Sequence, residues 1–358
     1  MTIIHLLNGK EIRGAEKFAL QLAFELQKKG VMQRVIFLQR PGTIPIDLGS
    51  CNIEVPPEGL GVFARARWLR FALGSSTEDI VLCHGQGPLK AAVTALMFRR
   101  SRPKLVIKAI GFYAPWIKSF KRLRFALNRM LLSRADLCIA IGPGMEEELA
   151  DSLHVPRARI VSIPNGRIPP DSTDNSTRSL DQIVMVGVLS DTKNVDLGLD
   201  VLKEVRRTHP QAILKFVGDG PLYSALKVRA LSEFEEGAVC FAGRVVNVWP
   251  HLREAALLLL CSKTEGVPGV VIEAGMAGLP VVGWDVGDTS AVLRDGLNGR
   301  ITPFGDVGAL RESITELLGD HDERRRLGEE AERYSRSFAM DSVASSYINQ
   351  FTRLEVQR

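Results

Sequence analysis

The stretch from Ala255 to Gly299, AALLLLCSKTEGVPGVVIEAGMAGLPVVGWDVGDTSAVLRDGLNG, decides the fold. Ala255 to Cys261 is short and apolar at every position, the pattern of a strand buried on both faces of a parallel sheet. A polar loop, Ser262 to Val267, follows and ends in Pro268 and Gly269. Val270 to Gly278 then has the composition of a helix closed by a glycine, and Leu279 to Gly283 reads as a second buried strand. In such a strand, loop, helix, strand unit the loop lies at the carboxyl end of the first strand. Open α/β sheets bind ligands there, and the helix start offers free backbone N–H groups to an anion.

Two carboxylates bracket that helix start, Glu265 in the loop and Glu273 in the first turns of the helix, with seven residues between them. By charge they suit the hydroxyl groups of a sugar or a ribose and not a phosphate. Singly, each has an ordinary reading, as a solvated loop residue and as a favourable charge near a helix N-terminus. Together with Gly266, Ala274, Pro280, Gly287 and Gly296 to Gly299, the pair resembles the C-terminal half of the retaining glycosyltransferases of family 4. The resemblance implies an α/β chain of GT-B architecture, two doubly wound Rossmann-like domains facing across a cleft, with a C-terminal helix crossing back to the first. Alternating strand and helix signals in both halves agree.

The domain limits follow from composition and resemblance together. Residues 1–167 are expected to form an N-terminal, acceptor-binding domain, and the polar, proline-bearing segment within 168–180 a linker. Residues 181–337 are then a nucleotide-sugar-binding domain, and 338–358 the returning helix. The chain has 358 residues, 45% apolar and 24% charged, which suits two soluble cores. Met1 to Asn8 lacks a basic n-region and no apolar run approaches bilayer length, so a cytoplasmic protein is expected. The five cysteines, Cys51, Cys83, Cys138, Cys240 and Cys261, lie apart and without metal spacing, and read as reduced core residues. Asp320-His321-Asp322 is read as helix capping, so no metal site is expected.

Charge is distributed unevenly. Residues 1–167 hold 25 basic against 13 acidic residues, and 168–358 hold 21 against 28. From Ile80 to Ala135 there is no acidic residue and there are twelve basic ones, Lys104 and Lys108 among them. Within that strip Phe112 to Leu132 mixes Trp116, Phe120 and Phe125 with Lys118, Lys121, Arg122 and Arg124, the composition of an interfacial segment drawn to anionic lipid. A solvated helix face is the plain alternative. No nucleic-acid-binding motif accompanies the strip.

The resemblance also assigns roles. Lys193, after Gly187, would clamp the donor diphosphate, with Glu273 on the ribose. Glu265 and the backbone of Gly266, Gly269 and Val270 would hold the donor sugar, and Val245 would lie beside the base. Gly14, opening the first helix, would approach the phosphate, while His84 and Asn165 would lie on the acceptor side. Two positions depart from the family pattern: Val188 stands where an Arg is usual, and Ile110 where many members have a His. Arg13, which replaces a glycine beside Gly14, is the candidate for the missing cation. The implied activity is hexosyl transfer with retention, from a UDP- or GDP-sugar to a hydroxyl of a glycan or lipid-linked acceptor, with no other cofactor. An epimerase or hydrolase of the same architecture would make product without an acceptor. A decayed homologue would bind nucleotide and do nothing more.

Overall fold

The computed structural model describes residues 1–9, 14–42, 51–110, 121–169 and 178–356, the side chains of 121–124 excepted. It divides into two compact units, Met1–Gly166 with Met340–Arg358, and Arg167–Ala339.

The first unit opens with β1 (Thr2–Leu7), α1 (Gly14–Lys28), β2 (Met32–Phe37), β3 (Asn52–Glu54), α2 (Val62–Ala72) and β4 (Ile80–His84). It continues through α3 (Gln86–Leu96), β5 (Lys104–Lys108), α4 (Lys121–Leu132), β6 (Leu137–Ala140), α5 (Pro143–Glu147) and β7 (Ile160–Ser162). The strands form one parallel sheet in the order β3-β2-β1-β4-β5-β6-β7, so the winding reverses between β1 and β4. Alternate strand residues serve opposite faces. Ile3, Leu82, Val106 and Ile139 line one face, where α1 contributes Phe18, Leu22 and Leu26 at helical spacing.

The second unit holds β8 (Gln182–Val186), α6 (Val195–Val205), β9 (Ile213–Val217), α7 (Tyr223–Glu233), β10 (Val239–Gly243) and α8 (Trp249–Glu254). Then come β11 (Leu257–Leu260), α9 (Gly269–Met276), β12 (Val281–Trp284), β13 (Gly299–Thr302), α10 (Val307–Gly319) and α11 (His321–Ser335). Its sheet is also parallel, ordered β10-β9-β8-β11-β12-β13, and reverses between β8 and β11. The stretch that opened the sequence reading is therefore β11, α9 and β12, at the centre of this sheet. Asp320 caps α11, its carboxylate accepting from Glu323 N at 2.9 Å.

The chain returns as α12 (Met340–Val356) and completes the first core with Met340, Val343, Tyr347 and Phe351. This helix begins later than the apolar pattern from Phe338 suggests, because Arg336–Phe338 closes a separate tight turn and Ala339 is extended. After β6, α5 runs into one wide turn, Glu148–Ser152, after which Leu153 N donates to Glu148 O at 3.0 Å.

Candidate functional site

In the second unit the ends of three neighbouring strands pack backbone against backbone. Gly187 N donates to Val217 O at 3.0 Å, and Gly218 N to Gly243 O at 2.9 Å. A Cβ on Gly218 would fall 1.8 Å from Gly187 O, so no larger residue fits there. The chain then makes a single turn, Asp191–Lys193, before α6.

The loop leaving β11 is tied to this turn. Lys263 N donates to Thr192 O at 2.9 Å, Lys263 Nζ meets Asp191 at 2.7 Å, and the Cys261 thiol reaches Asn194 O at 3.5 Å. These ties bring Lys193 Nζ to 2.5 Å from Glu265 Oε1. The carboxylate is the more buried partner, 9% exposed against 31%. Gly287, beyond β12, presses on the same loop from the other side, where a Cβ would meet Glu265 O at 1.9 Å. A small pocket at this reversal of winding is lined by Gly187, Val188, Lys193, Cys261 and Ser262.

Downstream, Gly266, Gly269 and Val270 are half-buried at the start of α9. One turn into that helix Glu273 accepts from Arg167 Nε at 2.8 Å. Arg167 passes across the helix start so closely that a Cβ on Gly269 would lie 1.5 Å from its guanidinium. Sequence reasoning missed Arg167: the signal beside it, Asn165-Gly166, reads only as a turn. Val245 is half-buried after β10, whereas Val188 is 56% exposed.

In the first unit the reversal between β1 and β4 is also close, though less so. A Cβ on Gly87 would lie 2.8 Å from the side-chain oxygen of Asn8. His84, the last residue of β4, is only 4% exposed, and its ring stacks on that of His5, centroids 5.3 Å apart. A polar chain runs beneath the strand ends: Gln33 Oε1 to His5 Nε2 at 2.8 Å, and His5 Nδ1 to His84 Nε2 at 3.1 Å. Gln33 Nε2 donates to Val31 O, which leaves Oε1 as an acceptor and assigns the proton to His5 Nε2. His5 Nδ1 then accepts from His84 Nε2–H, and His84 Nδ1 is a lone pair with no partner among the described residues. Burial, His5 and the cation of Lys108 all push the His84 pKa well below its ordinary value.

Lys108 corrects the reading of the basic strip. It is 1% exposed, its Nζ 3.8 Å from the centre of the Phe18 ring and donating to the Tyr347 hydroxyl at 3.1 Å. The residue sits on the face of β5 that α1 and α12 cover, so it contributes a buried cation and not a surface charge. Arg102 is likewise engaged, forked onto Asp136 at 2.7 and 3.3 Å. Asn165 is half-buried, its amide oxygen without a partner among the described residues, and Gly14 is exposed at the start of α1. Ile110 is 38% exposed. Arg13, Trp116 and Lys118 lie outside the described residues, as do the side chains of Lys121, Arg122 and Arg124. Among the described residues no group of three or more His, Cys, Asp or Glu is placed to hold a metal, and no helix is long and apolar enough to cross a membrane.

Residues 174–334 match the family described as glycosyl transferases group 1, and residues 13–166 match the glycosyl transferase 4-like domain. The chain belongs to the group 1 glycosyltransferases. The lipopolysaccharide core biosynthesis glycosyltransferase LpsE of Rhizobium meliloti is 26% identical over 360 residues, 97% of this chain and 98% of that protein. An exopolysaccharide phosphotransferase of Streptomyces coelicolor is 31% identical over 88% of this chain. This chain spans only 32% of the Streptomyces protein's length. Among solved structures, Anabaena HepE in complex with UDP superposes with a TM-score of 0.81 at 17% identity, over 99% of this chain and 100% of that one. The pneumococcal O-GlcNAc transferase GtfA, in complex with UDP and GlcNAc, gives 0.78 at 13% identity, over 99% of each chain. The fold of this group 1 glycosyltransferase is GT-B.

Proposed function

We propose that the chain is a retaining glycosyltransferase of family 4. It moves a hexose or N-acetylhexosamine from a UDP- or GDP-sugar to a hydroxyl of an acceptor, a lipid-linked saccharide in cell-surface glycan synthesis. The reaction takes place at the cytoplasmic face of a membrane that the protein contacts peripherally. One observation carries the reading: a lysine and a glutamate, Lys193 and Glu265, are paired at 2.5 Å where the winding of the second sheet reverses, beside strand ends stripped to glycine backbone.

That pair has the chemistry a sugar nucleotide needs. With no ligand the two charges satisfy each other. A bound donor separates them, its diphosphate taking the Lys193 ammonium and its sugar hydroxyls donating to Glu265. As the bond to the sugar breaks, negative charge grows on the diphosphate, and a positioned cation lowers that barrier. The backbone N–H groups of Gly266, Val267, Gly269 and Val270 add donors at and before the start of α9. Glu273, held by Arg167, receives the ribose hydroxyls, and Val245 lies beside the base. The first unit is the acceptor-binding one, with His84 and Asn165 as its polar groups. HepE and GtfA were each determined with UDP, which supports a nucleotide donor here.

Thermal unfolding in the presence of a panel of nucleoside diphosphates and their sugar conjugates tests the reading. Ligand at about a hundred times its dissociation constant adds roughly 2.7 kcal/mol, enough to raise the midpoint by a few degrees. One base should stabilise the wild type, and the shift should vanish in Glu273→Ala. If no nucleotide shifts the midpoint, the donor-site reading fails.

A further inference from the structure

Helix α2 has the wrong face outward. It packs through Leu69 and, just past its end, Leu73, which are 3% and 0% exposed. The opposite side, set by about 3.6 residues per turn, carries Phe63, Arg67 and Phe71. The two phenylalanines are 93% and 86% exposed, and Val62 at the helix start is 83% exposed. Soluble helices place polar residues there.

The surface continues beyond the helix. Arg99, in the turn after α3, donates to the carbonyls of Arg70 and Gly74, which anchors that turn against the end of α2. The turn displays Phe98, 88% exposed, in the left-handed conformation at φ 67°, where a bulky residue is strained. Met97 beside it is 46% exposed. Neither Val62 to Gly74 nor Met97 to Arg102 contains an acidic residue, while together they hold Arg65, Arg67, Arg70, Arg99 and Arg100, besides Arg102, which is paired with Asp136.

We propose that the outer face of α2 and the turn at Met97–Arg100 dock this chain on a bilayer rich in anionic lipid. Exposed phenyl rings interleaved with arginines fit the boundary of a membrane, with the rings among the acyl chains and the guanidinium groups at the phosphates. A second copy fits less well, because two-fold pairing through this face would bring the arginines of both copies into one interface with no acidic residue in Val62 to Gly74 or Met97 to Arg102 to meet them. The inference rests on the peripheral contact of the reading above and moves its centre from the segment 112–132 to α2. It makes no use of the donor site.

Cosedimentation with vesicles tests it, using phosphatidylcholine alone and phosphatidylcholine mixed with phosphatidylglycerol. The wild type should bind the mixed vesicles at least tenfold more tightly than the neutral ones, and less tightly as salt rises. The variant Phe63→Ser/Phe71→Ser/Phe98→Ser removes exposed side chains only. It should keep its thermal midpoint and its nucleotide-induced shift while losing tenfold or more in vesicle binding. Wild-type binding equal to that of the triple variant, equal binding to both vesicle types, or no binding overturns the proposal. So does a wild-type dimer in sedimentation velocity that the triple variant abolishes while vesicle binding is absent. A nucleotide shift that persists through any of these failures leaves the donor-site reading standing.

Discussion

Lys193 and Glu265 stand 72 residues apart in the chain and 2.5 Å apart in space. Their meeting is a property of the β8–β11 reversal, which lays the two strand-end loops side by side. Removing the cation should strike both catalysis and, to a smaller degree, stability. The lysine is 31% exposed but Glu265 only 9%, so leaving that carboxylate unpaired costs about 1 to 3 kcal/mol. A donor aimed at developing negative charge is worth roughly a hundredfold or more in rate. Lys193→Ala should therefore remain folded with a midpoint lowered by a few degrees and lose about two orders of magnitude in kcat. A variant with kcat within threefold of wild type would remove Lys193 from the diphosphate.

A second pair, Arg167 and Glu273, makes a separate prediction through a glycine. A methyl group on Gly269 would occupy the place of the Arg167 guanidinium, so Gly269→Ala must swing the arginine off Glu273. Gly269→Ala and Arg167→Met should then weaken nucleotide binding by similar factors, each several-fold, as read by titration calorimetry. A clear loss in Arg167→Met with no change in Gly269→Ala would show that the arginine acts by another route.

Gly287 supports Glu265 from behind, with φ at +57° and the Glu265 carbonyl where its Cβ would be. Gly287→Ala should cost roughly 2 kcal/mol or more, because both strain and a backbone clash oppose it. Gly305 is the control: its φ is +84° but the space around it is open, so Gly305→Ala should cost only about 1 kcal/mol. Equal costs at the two sites would mean that the loop yields to the methyl group and that Gly287 does not position Glu265.

What the chain disclosed in advance was local. Ala255 to Gly299 carries its strand, helix and strand in apolar run length and in its glycines, and these became β11, α9 and β12. Arg167 could not be read, since its partner Glu273 lies 106 residues away and nothing beside it signals a contact. His5 left a fainter trace. A histidine in TIIHLL, a run buried almost throughout, needs a buried partner, and that partner is His84 on the neighbouring strand. Lys108 misled in its own way: a basic residue counted by charge alone looks like surface, whereas its strand, KLVIK, is buried on both faces of the sheet.

Those buried histidines give the fold a pH dependence. Burial lowers the His5 pKa to about 4 against the hydrogen bond it donates to Gln33, which raises it, and burial moves His84 in the same direction with the Lys108 cation nearby. An unfolded chain takes up a proton at each histidine below about pH 6.5, whereas the folded one refuses it. Stability from this source is therefore complete above pH 6.5 and is lost as the pH falls toward 4, by as much as about 3 kcal/mol for His5. Urea midpoints measured from pH 7.5 down to 4.5 should fall steadily in the wild type. In His5→Asn the fall should be shallower over the same range, even though the variant is less stable at pH 7.5. Parallel profiles for the two proteins would mean that His5 is not held neutral in the fold.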